Sequence, residues 1–448
     1  MHAWLRTKRD LGGRATLPRT FSAFSTDAST RTATATAQLD SGPPTSHSNL
    51  ETPDTNMSAR KIITPLSRVL PSVKTPVVLG AMAGASGGQL AGAVSSAGGF
   101  GFIGAGYLTP SVLQSEVERA YQQLSVSHAD LLADRRRADF GIGILVWRLT
   151  ELNDGKRPDQ ASPNKSVSDF LDVIVRARPR AVWLSFGDEQ ELTGWQKVIA
   201  KLDEQHNNDL QASEAESLKW FVMIGREQEL QAAVEKCRCD VLIVQGCEAG
   251  GHGHSQAPPL SALLADTLKR LPALKPNNAT HSTPPVLGAG GLADGRSLAA
   301  LLASGCAGGV YGTRFVLTPE STYSQVQKEK LVKAKGSATL RTFAFDDARG
   351  TLGWPQGTDG RGLRNKTVEE YERDVQQEVK AGTQDPEGAK RRMERYKQAA
   401  SENDTDRIVI WAGTGIGAID AIVPAKQVVH DITHEALEVL SRVQGYVQ

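Results

Sequence analysis

Two histidines stand in the run Cys247-Glu248-Ala249-Gly250-Gly251-His252-Gly253-His254, directly behind the apolar block Val241-Leu242-Ile243-Val244. A short β-branched-rich block stopped by glycines is the pattern of a fully buried strand. In parallel α/β enzymes the loops leaving the strand tips converge on one rim, and the chemistry sits there. An imidazole with an ordinary pKa of about 6.5 can take or give a proton at neutral pH. Gly250 and Gly251 have no Cβ, so backbone there can lie against a flat ligand. The competing reading is a solvent-exposed Gly/His turn.

Three further strand ends carry small residues. Gly80-Ala81-Met82-Ala83-Gly84-Ala85 leaves room for a planar ring against the backbone. Gly288-Ala289-Gly290-Gly291 runs through Leu292-Ala293-Asp294-Gly295-Arg296 into a predicted helix, and Gly312-Thr313-Arg314-Phe315 ends the next strand. In closed barrels the loops after strands seven and eight commonly hold a phosphate on backbone amides and a helix amino terminus. Each signal alone fits a plain tight turn equally well, because glycine is the usual residue wherever a strand turns sharply. No Gly-x-Gly-x-x-Gly or Gly-Lys-Ser/Thr motif follows the first strand, which argues against a Rossmann dinucleotide site and a P-loop.

The elements that must position these residues alternate. Strands are predicted over Val77 to Ala81, Gly101 to Gly104, Phe140 to Leu145, Ala181 to Ser185, Phe221 to Ile224, Val241 to Gln245, Val286 to Ala289 and Gly309 to Gly312. With helical stretches between them they make eight βαβ-type repeats, the number that closes an α/β (β/α)8 TIM barrel. The polar stretch from Asp188 to Leu218 is longer than a usual connection and reads as an insertion. From Pro319 to Asp406 charged helices around Glu369 to Val379 and Pro386 to Ala399 suggest a smaller, mainly helical cap. The expected division is a leader over 1–58, the barrel over 59–318, the cap over 319–406 and a segment over 407–448 returning to the barrel.

The 448 residues carry a formal net charge of +1, and 40% are hydrophobic. That is enough apolar content for a large core, and too little positive charge for nucleic acid to be the main partner. No apolar run reaches transmembrane length. Of Cys237, Cys239, Cys247 and Cys306, the first two are two apart just before a predicted buried strand, poor spacing for a zinc knuckle, so the four read as structural thiols of a reduced intracellular protein. In the leader, Arg6, Lys8, Arg9, Arg14 and Arg19 are opposed only by Asp10 before Asp27, a balance that suits a mitochondrial transit peptide as well as an unprocessed cytoplasmic tail. Oligomeric state stays open, with a homodimer one alternative.

Taken in order, Pro76 to Gly84, Val244 to His252, Ala289-Gly290-Gly291 with Asp294-Gly295-Arg296, and Gly312-Thr313-Arg314-Phe315 resemble the nitronate monooxygenase (2-nitropropane dioxygenase) family. Arg361-Gly362-Leu363-Arg364-Asn365 and Trp411 to Gly417 are similar to its cap and closing pieces. The resemblance implies a TIM barrel with non-covalent FMN. The isoalloxazine would lie against Ala81, Met82 and Ala83 with Gln245, Gly250 and Gly251 nearby, and the phosphate at Ala289, Gly290, Gly291, Gly312 and Thr313. His252 would be the base that removes the α-proton of a nitroalkane, or would orient a nitronate that arrives as the anion, with O2 completing oxidation to a carbonyl compound and nitrite. His254 is read as a solvated competitor, Glu248 as loop support, Met82 as wall, Tyr311 as core, and Arg314 as either an anion contact or a structural ion pair. Two departures stand out: Gly143 where the family often has Asn, and Ile224 where some members have Lys. The same motifs also suit an NAD(P)H-dependent quinone or enoyl reductase on the same barrel. A barrel that binds phosphate without redox chemistry is the third reading.

Overall fold

The computed structural model describes residues 61–209, 216–278, 282–381, 383 and 385–446. The leader expected over 1–58 lies outside the described residues. Eight parallel strands form one sheet: β1 (Val77–Leu79), β2 (Phe102–Gly104), β3 (Ala138–Leu145), β4 (Pro179–Ser185), β5 (Lys219–Ile224), β6 (Val241–Gln245), then β8 (Val286–Ala289) and β9 (Gly308–Tyr311). Their order is β1-β9-β8-β6-β5-β4-β3-β2, and a parallel bridge between Val78 and Phe100 brings the two ends together. The chain is therefore a (β/α)8 TIM barrel, with the eight strands in the places the apolar blocks predict.

Side chains alternate along each strand, as the pleat requires. On β6, Val241 and Ile243 enter the barrel interior, while Leu242 and Val244 pack under the helices. On β5, Phe221 and Met223 turn inward, while Val222 and Ile224 turn outward. The interior is filled by Phe100, Phe102, Trp183 and Phe221, in edge-to-face contacts of 5.0 to 5.2 Å around Phe102. This layer blocks the barrel below the carboxyl ends of the strands, so a ligand can enter only from that rim.

The segment from Asp188 to Leu218 is not an insertion. Most of it is the helix Glu189–Asp209, the barrel's own crossover between β4 and β5. Trp195 and Ile199, one turn apart, are completely buried against the sheet. Few apolar residues suffice because one narrow stripe meets the barrel, and beside it the buried polar side chains Gln196 and Asp203 are held by hydrogen bonds to the Arg238 backbone and to Arg137.

After β9 the chain makes helices Lys366–Ala381 and Pro386–Glu402, as the charged pattern suggests, and also Gln325–Val332 and Ala344–Arg349, which it did not mark. It also makes strands β10 (Thr339–Thr342) and β11 (Thr358–Leu363), which the pattern did not announce. These join β7 (Gly251–His254) in a three-stranded antiparallel sheet ordered β10-β11-β7. The histidine run is thus a strand paired with a segment about a hundred residues later in the chain. The final helix, Ala425–Gln444, returns to pack on Gly295–Ala303. A Cβ at Gly295 would stand 2.5 Å from backbone atoms of Ile432 and Ala436, so only glycine permits the approach. The described residues form one compact unit.

Candidate active site

The carboxyl ends of the barrel strands and the three-stranded sheet enclose one cleft with about 1340 Å³ free of protein atoms, open mouth included. Ala81, Met82, Ala83, Gln245, Gly250, Gly251, His252, Ala289, Gly290, Gly291, Gly312 and Thr313 all line it. Segments more than two hundred residues apart in sequence therefore meet at one mouth.

One wall is bare backbone. A Cβ at Gly143 would lie 2.2 Å from Cβ of Ala81, and one at Gly104 would lie 2.4 Å from the backbone carbon of Met82. Glycine at these two positions lets β2 and β3 press against the 81–83 turn. Asparagine in place of Gly143 has no room beside Ala81. Ile224 faces the helical layer, and its neighbour Met223 is the residue that lines the cleft.

The opposite end is a glycine cradle. Gly290 and Gly291 have φ of 120° and 72°, and among the described residues neither backbone N–H donates to a protein acceptor. The closing segment lies over them: Gly415 approaches Gly291 so closely that a Cβ on it would stand 2.3 Å from the Gly291 oxygen. Thr313 Oγ1 accepts from the Gly413 N–H at 3.0 Å. The helix Gly295–Ala303 offers less to an anion than its position suggests. Asp294 accepts from the Ser297 N–H and Glu435 accepts from the Gly295 N–H, so two carboxylates already hold its first turn.

His252 is fixed from four sides. Its β7 partner across the ladder is Gly360, whose missing side chain leaves room for the indole of Trp411, 4.9 Å away edge-on. Trp354 stacks on the imidazole with centroids 3.6 Å apart and planes 15° apart. Gln245 Nε2 donates to the His252 carbonyl at 3.3 Å. Nε2 of His252 lies 2.9 and 3.0 Å from the two carboxylate oxygens of Asp346. Asp346 is completely buried and also accepts from Thr351 Oγ1 at 2.7 Å. A carboxylate only accepts, so Nε2 carries a hydrogen, and the neutral ring keeps its lone pair on Nδ1.

Burial holds the His252 pKa below its ordinary value. Asp346 pulls the other way, and the positive charges of Arg349 and Arg341 add to the lowering. The ring is therefore neutral at pH 7 and able to accept a proton. Arg349 lines the cleft and, among the described residues, makes no ion pair. Three buried donors, Tyr107 Oη, Trp183 Nε1 and Trp354 Nε1, have no partner among the described residues and belong to cleft-lining residues. Such orphans are costly unless a polar ligand satisfies them.

The remaining candidates are placed elsewhere. His254 lies outside the cleft, where its Nδ1 accepts from the Gln256 N–H. Both Glu248 oxygens accept from the Leu260 N–H at the start of helix Leu260–Arg270, so this carboxylate supports the loop. Tyr311 is core, its hydroxyl donating to the Asp294 carbonyl. Arg314 is neither anion contact nor ion pair, because its Nη2 donates to the carbonyls of Leu317 and Ala421. Cys237, Cys239 and Cys306 are buried free thiols, and no cluster of metal-ligating side chains occurs among the described residues. Likewise, no described helix is long and apolar enough to cross a membrane.

A family model described as "Nitronate monooxygenase" matches residues 65–128 and 190–435. The chain belongs to the nitronate monooxygenase family. It is an oxidoreductase of that family. Among curated relatives, the nitronate monooxygenase npaC of Metarhizium robertsii is 28% identical over 85% of this chain and 97% of its own length. The nitronate monooxygenase of Neurospora crassa is 26% identical over 87% and 96%. Of solved structures, FabK from Thermotoga maritima superposes with a TM-score of 0.60 at 25% identity, covering 86% of this chain and all of that one. A nitroalkane oxidase from Streptomyces ansochromogenes, at 22% identity and a TM-score of 0.57, shares the fold over 84% of this chain and 99% of its own.

Asp346, Arg349 and Trp354 are missing from any reading of the sequence by motif. They fall in a polar, charged stretch with no recognisable signature, and only pairing of β7 with β11 brings them to His252.

Proposed function

We propose that the enzyme oxidises nitroalkanes or their nitronates with O2 to a carbonyl compound and nitrite, using FMN held in this cleft. The observation that carries the reading is a neutral imidazole, fixed through Nε2 by a buried carboxylate, in the same cleft as an uncapped glycine cradle. The residues fit FMN. The 81–83 turn, kept bare by Gly104 and Gly143, accepts a flat ring. The free amides at Gly290 and Gly291, with Gly312 and Thr313, suit its phosphate. When bound, FMN supplies acceptance of electrons from the substrate carbon and their delivery to O2.

The protein's own part begins with binding. The unpaired Arg349 makes the cleft favourable to an anion, and the aromatic walls Trp354 and Trp411 exclude water. With a neutral nitroalkane, Nδ1 of His252 takes the α-proton. Asp346 then faces a positively charged imidazolium across 2.9 Å and stabilises it. A positioned base of this kind contributes about 10² to 10⁴ in rate. With a nitronate already formed, that step is skipped and His252 orients the anion.

Purified enzyme tests the reading directly. Flavin absorbance, together with nitrite release from nitroethane or ethylnitronate without added nicotinamide, is expected. A colourless preparation, or flavin bleached by NAD(P)H under argon with no nitrite from either substrate, would turn the assignment towards a phosphate-binding barrel or a reductase respectively.

A further inference from the structure

Tyr107 follows β2 in the run Gly104-Ala105-Gly106-Tyr107, and its hydroxyl is a buried donor of a cleft-lining residue with no acceptor among the described residues. The ring is held in place by its neighbours. Trp354 meets it edge-on at 6.4 Å, and the guanidinium of Arg148 lies over it at 5.8 Å. The same Trp354 stacks on His252 at 3.6 Å, so one indole touches both the phenol ring and the imidazole. Asp346 acts on Tyr107 electrostatically, yet its oxygens are taken by His252 and Thr351 and it does not accept from the phenol. Burial pushes the Tyr107 pKa up to about 12, so at neutral pH the hydroxyl keeps its proton and can donate it in a hydrogen bond. Arg349, unpaired in the cleft, is the strongest charge acting on Tyr107, and its field also reaches His252. Trp183, whose Nε1 is likewise without a partner, stands apart, packed on Phe102 in the layer that floors the barrel.

Removing the α-proton of a nitroalkane breaks the C–H bond and moves the proton to Nδ1 of His252. The electron pair forms the C=N bond, and the negative charge comes to rest on the two nitro oxygens. Neither His252 nor the carboxylate of Asp346 answers that charge. We propose that Tyr107 Oη and the guanidinium of Arg349 hold the nitro oxygens, so that a hydroxyl donor and a planar cation receive the charge as it forms. The inference rests on the nitronate reading above and extends it from the base to the groups that stabilise the product of its action. It also gives the orphaned phenol an acceptor, which a buried donor requires.

The test compares flavin-loaded wild type with Tyr107→Phe, Arg349→Gln and Arg349→Lys. Phenylalanine keeps the ring and its contacts and removes only the hydroxyl. Nitrate, a planar anion with the same O–N–O edge, probes binding without reaction through its perturbation of flavin absorbance. Tyr107→Phe is expected to retain FMN, to weaken nitrate about 10- to 100-fold, and to lower kcat/KM for nitroethane about 10²- to 10³-fold. Arg349→Gln does the same, and Arg349→Lys, which keeps the charge, recovers part of the nitrate affinity. Nitrate affinity and nitroethane turnover both within about twofold of wild type in Tyr107→Phe would overturn the proposal. Loss of FMN from Tyr107→Phe with nitrate affinity unchanged in Arg349→Gln would also overturn it, by assigning the hydroxyl to the cofactor. The reaction is judged separately. Nitrate binding that weakens in both variants, in an enzyme whose wild type releases no nitrite from nitroethane or ethylnitronate, keeps the anion seat and dismisses the reaction.

Discussion

Nε2 of His252 on β7 lies 2.9 Å from the carboxylate of Asp346, a residue ninety-four positions later that has no exposure to solvent. The contact decides which ring nitrogen is free, and it is one of two opposing influences on the imidazole pKa. Burial lowers that pKa and is the larger; Asp346 raises it. Asp346→Asn removes the raising influence, so the inflection in kcat/KM for nitroalkane, already below about 6.5, moves to lower pH. Loss of imidazolium stabilisation should also slow proton abstraction by about 10- to 100-fold, within the range that a positioned base supplies. A pH–rate profile checks both. An inflection that stays put would assign Asp346 a purely structural role.

Trp354→Ala is expected to move the same inflection in the opposite direction. The indole stacked at 3.6 Å contributes to the burial that depresses the His252 pKa. Exposing the ring lets the pKa rise towards its ordinary value, and activity near pH 6 falls first. Because a depressed histidine pKa adds stability that is present above the unfolded value and lost as pH falls through the folded one, the variant should also lose less stability on acidification. Thermal melts between pH 5 and 7 report that difference.

His252→Asn should retain FMN and slow turnover of neutral nitroethane by about 10² or more, while slowing ethylnitronate much less. The comparison uses nitrite release from both substrates at one pH. Equal losses on the two would remove the base role and leave only orientation.

Gly290→Ala tests the cradle. At φ of 120° a side chain is strained, and the new Cβ would stand 3.1 Å from the Ala249 nitrogen. A cost of about 1 to 3 kcal/mol is expected. The measurable outcome is a lower flavin-to-protein ratio on purification, together with a lower Tm.

Gly143→Asn should lose flavin as well, by collision with Ala81 at 2.2 Å. In the double variant Ala81→Gly/Gly143→Asn the obstructing methyl is gone, so occupancy is expected to recover. Absorbance ratios of the two purified variants decide it.

The barrel was legible in the sequence because a strand buried on both faces must be apolar almost throughout, and of the eight such blocks those before Gly80, Gly246, Gly290 and Gly312 end in the glycines that leave room at the rim. The same local rule located Ala81 to Ala83, Gly290-Gly291, Gly312 and His252, since each follows directly from a strand end. Local patterns misjudged the stretch from Asp188 to Leu218. There a single stripe around Trp195 and Ile199 is enough to dock the helix Glu189–Asp209, and the polar remainder hid it. They were also silent on β7, where glycine and histidine have no strand propensity of their own and become a strand only through the register His252 to Gly360. What tertiary structure alone decided is the histidine's surroundings: Asp346 below one nitrogen, Trp354 across its face, Arg349 nearby. Contacts between residues about a hundred positions apart depend on how the cap folds back over the barrel, and no short-range periodicity encodes that distance.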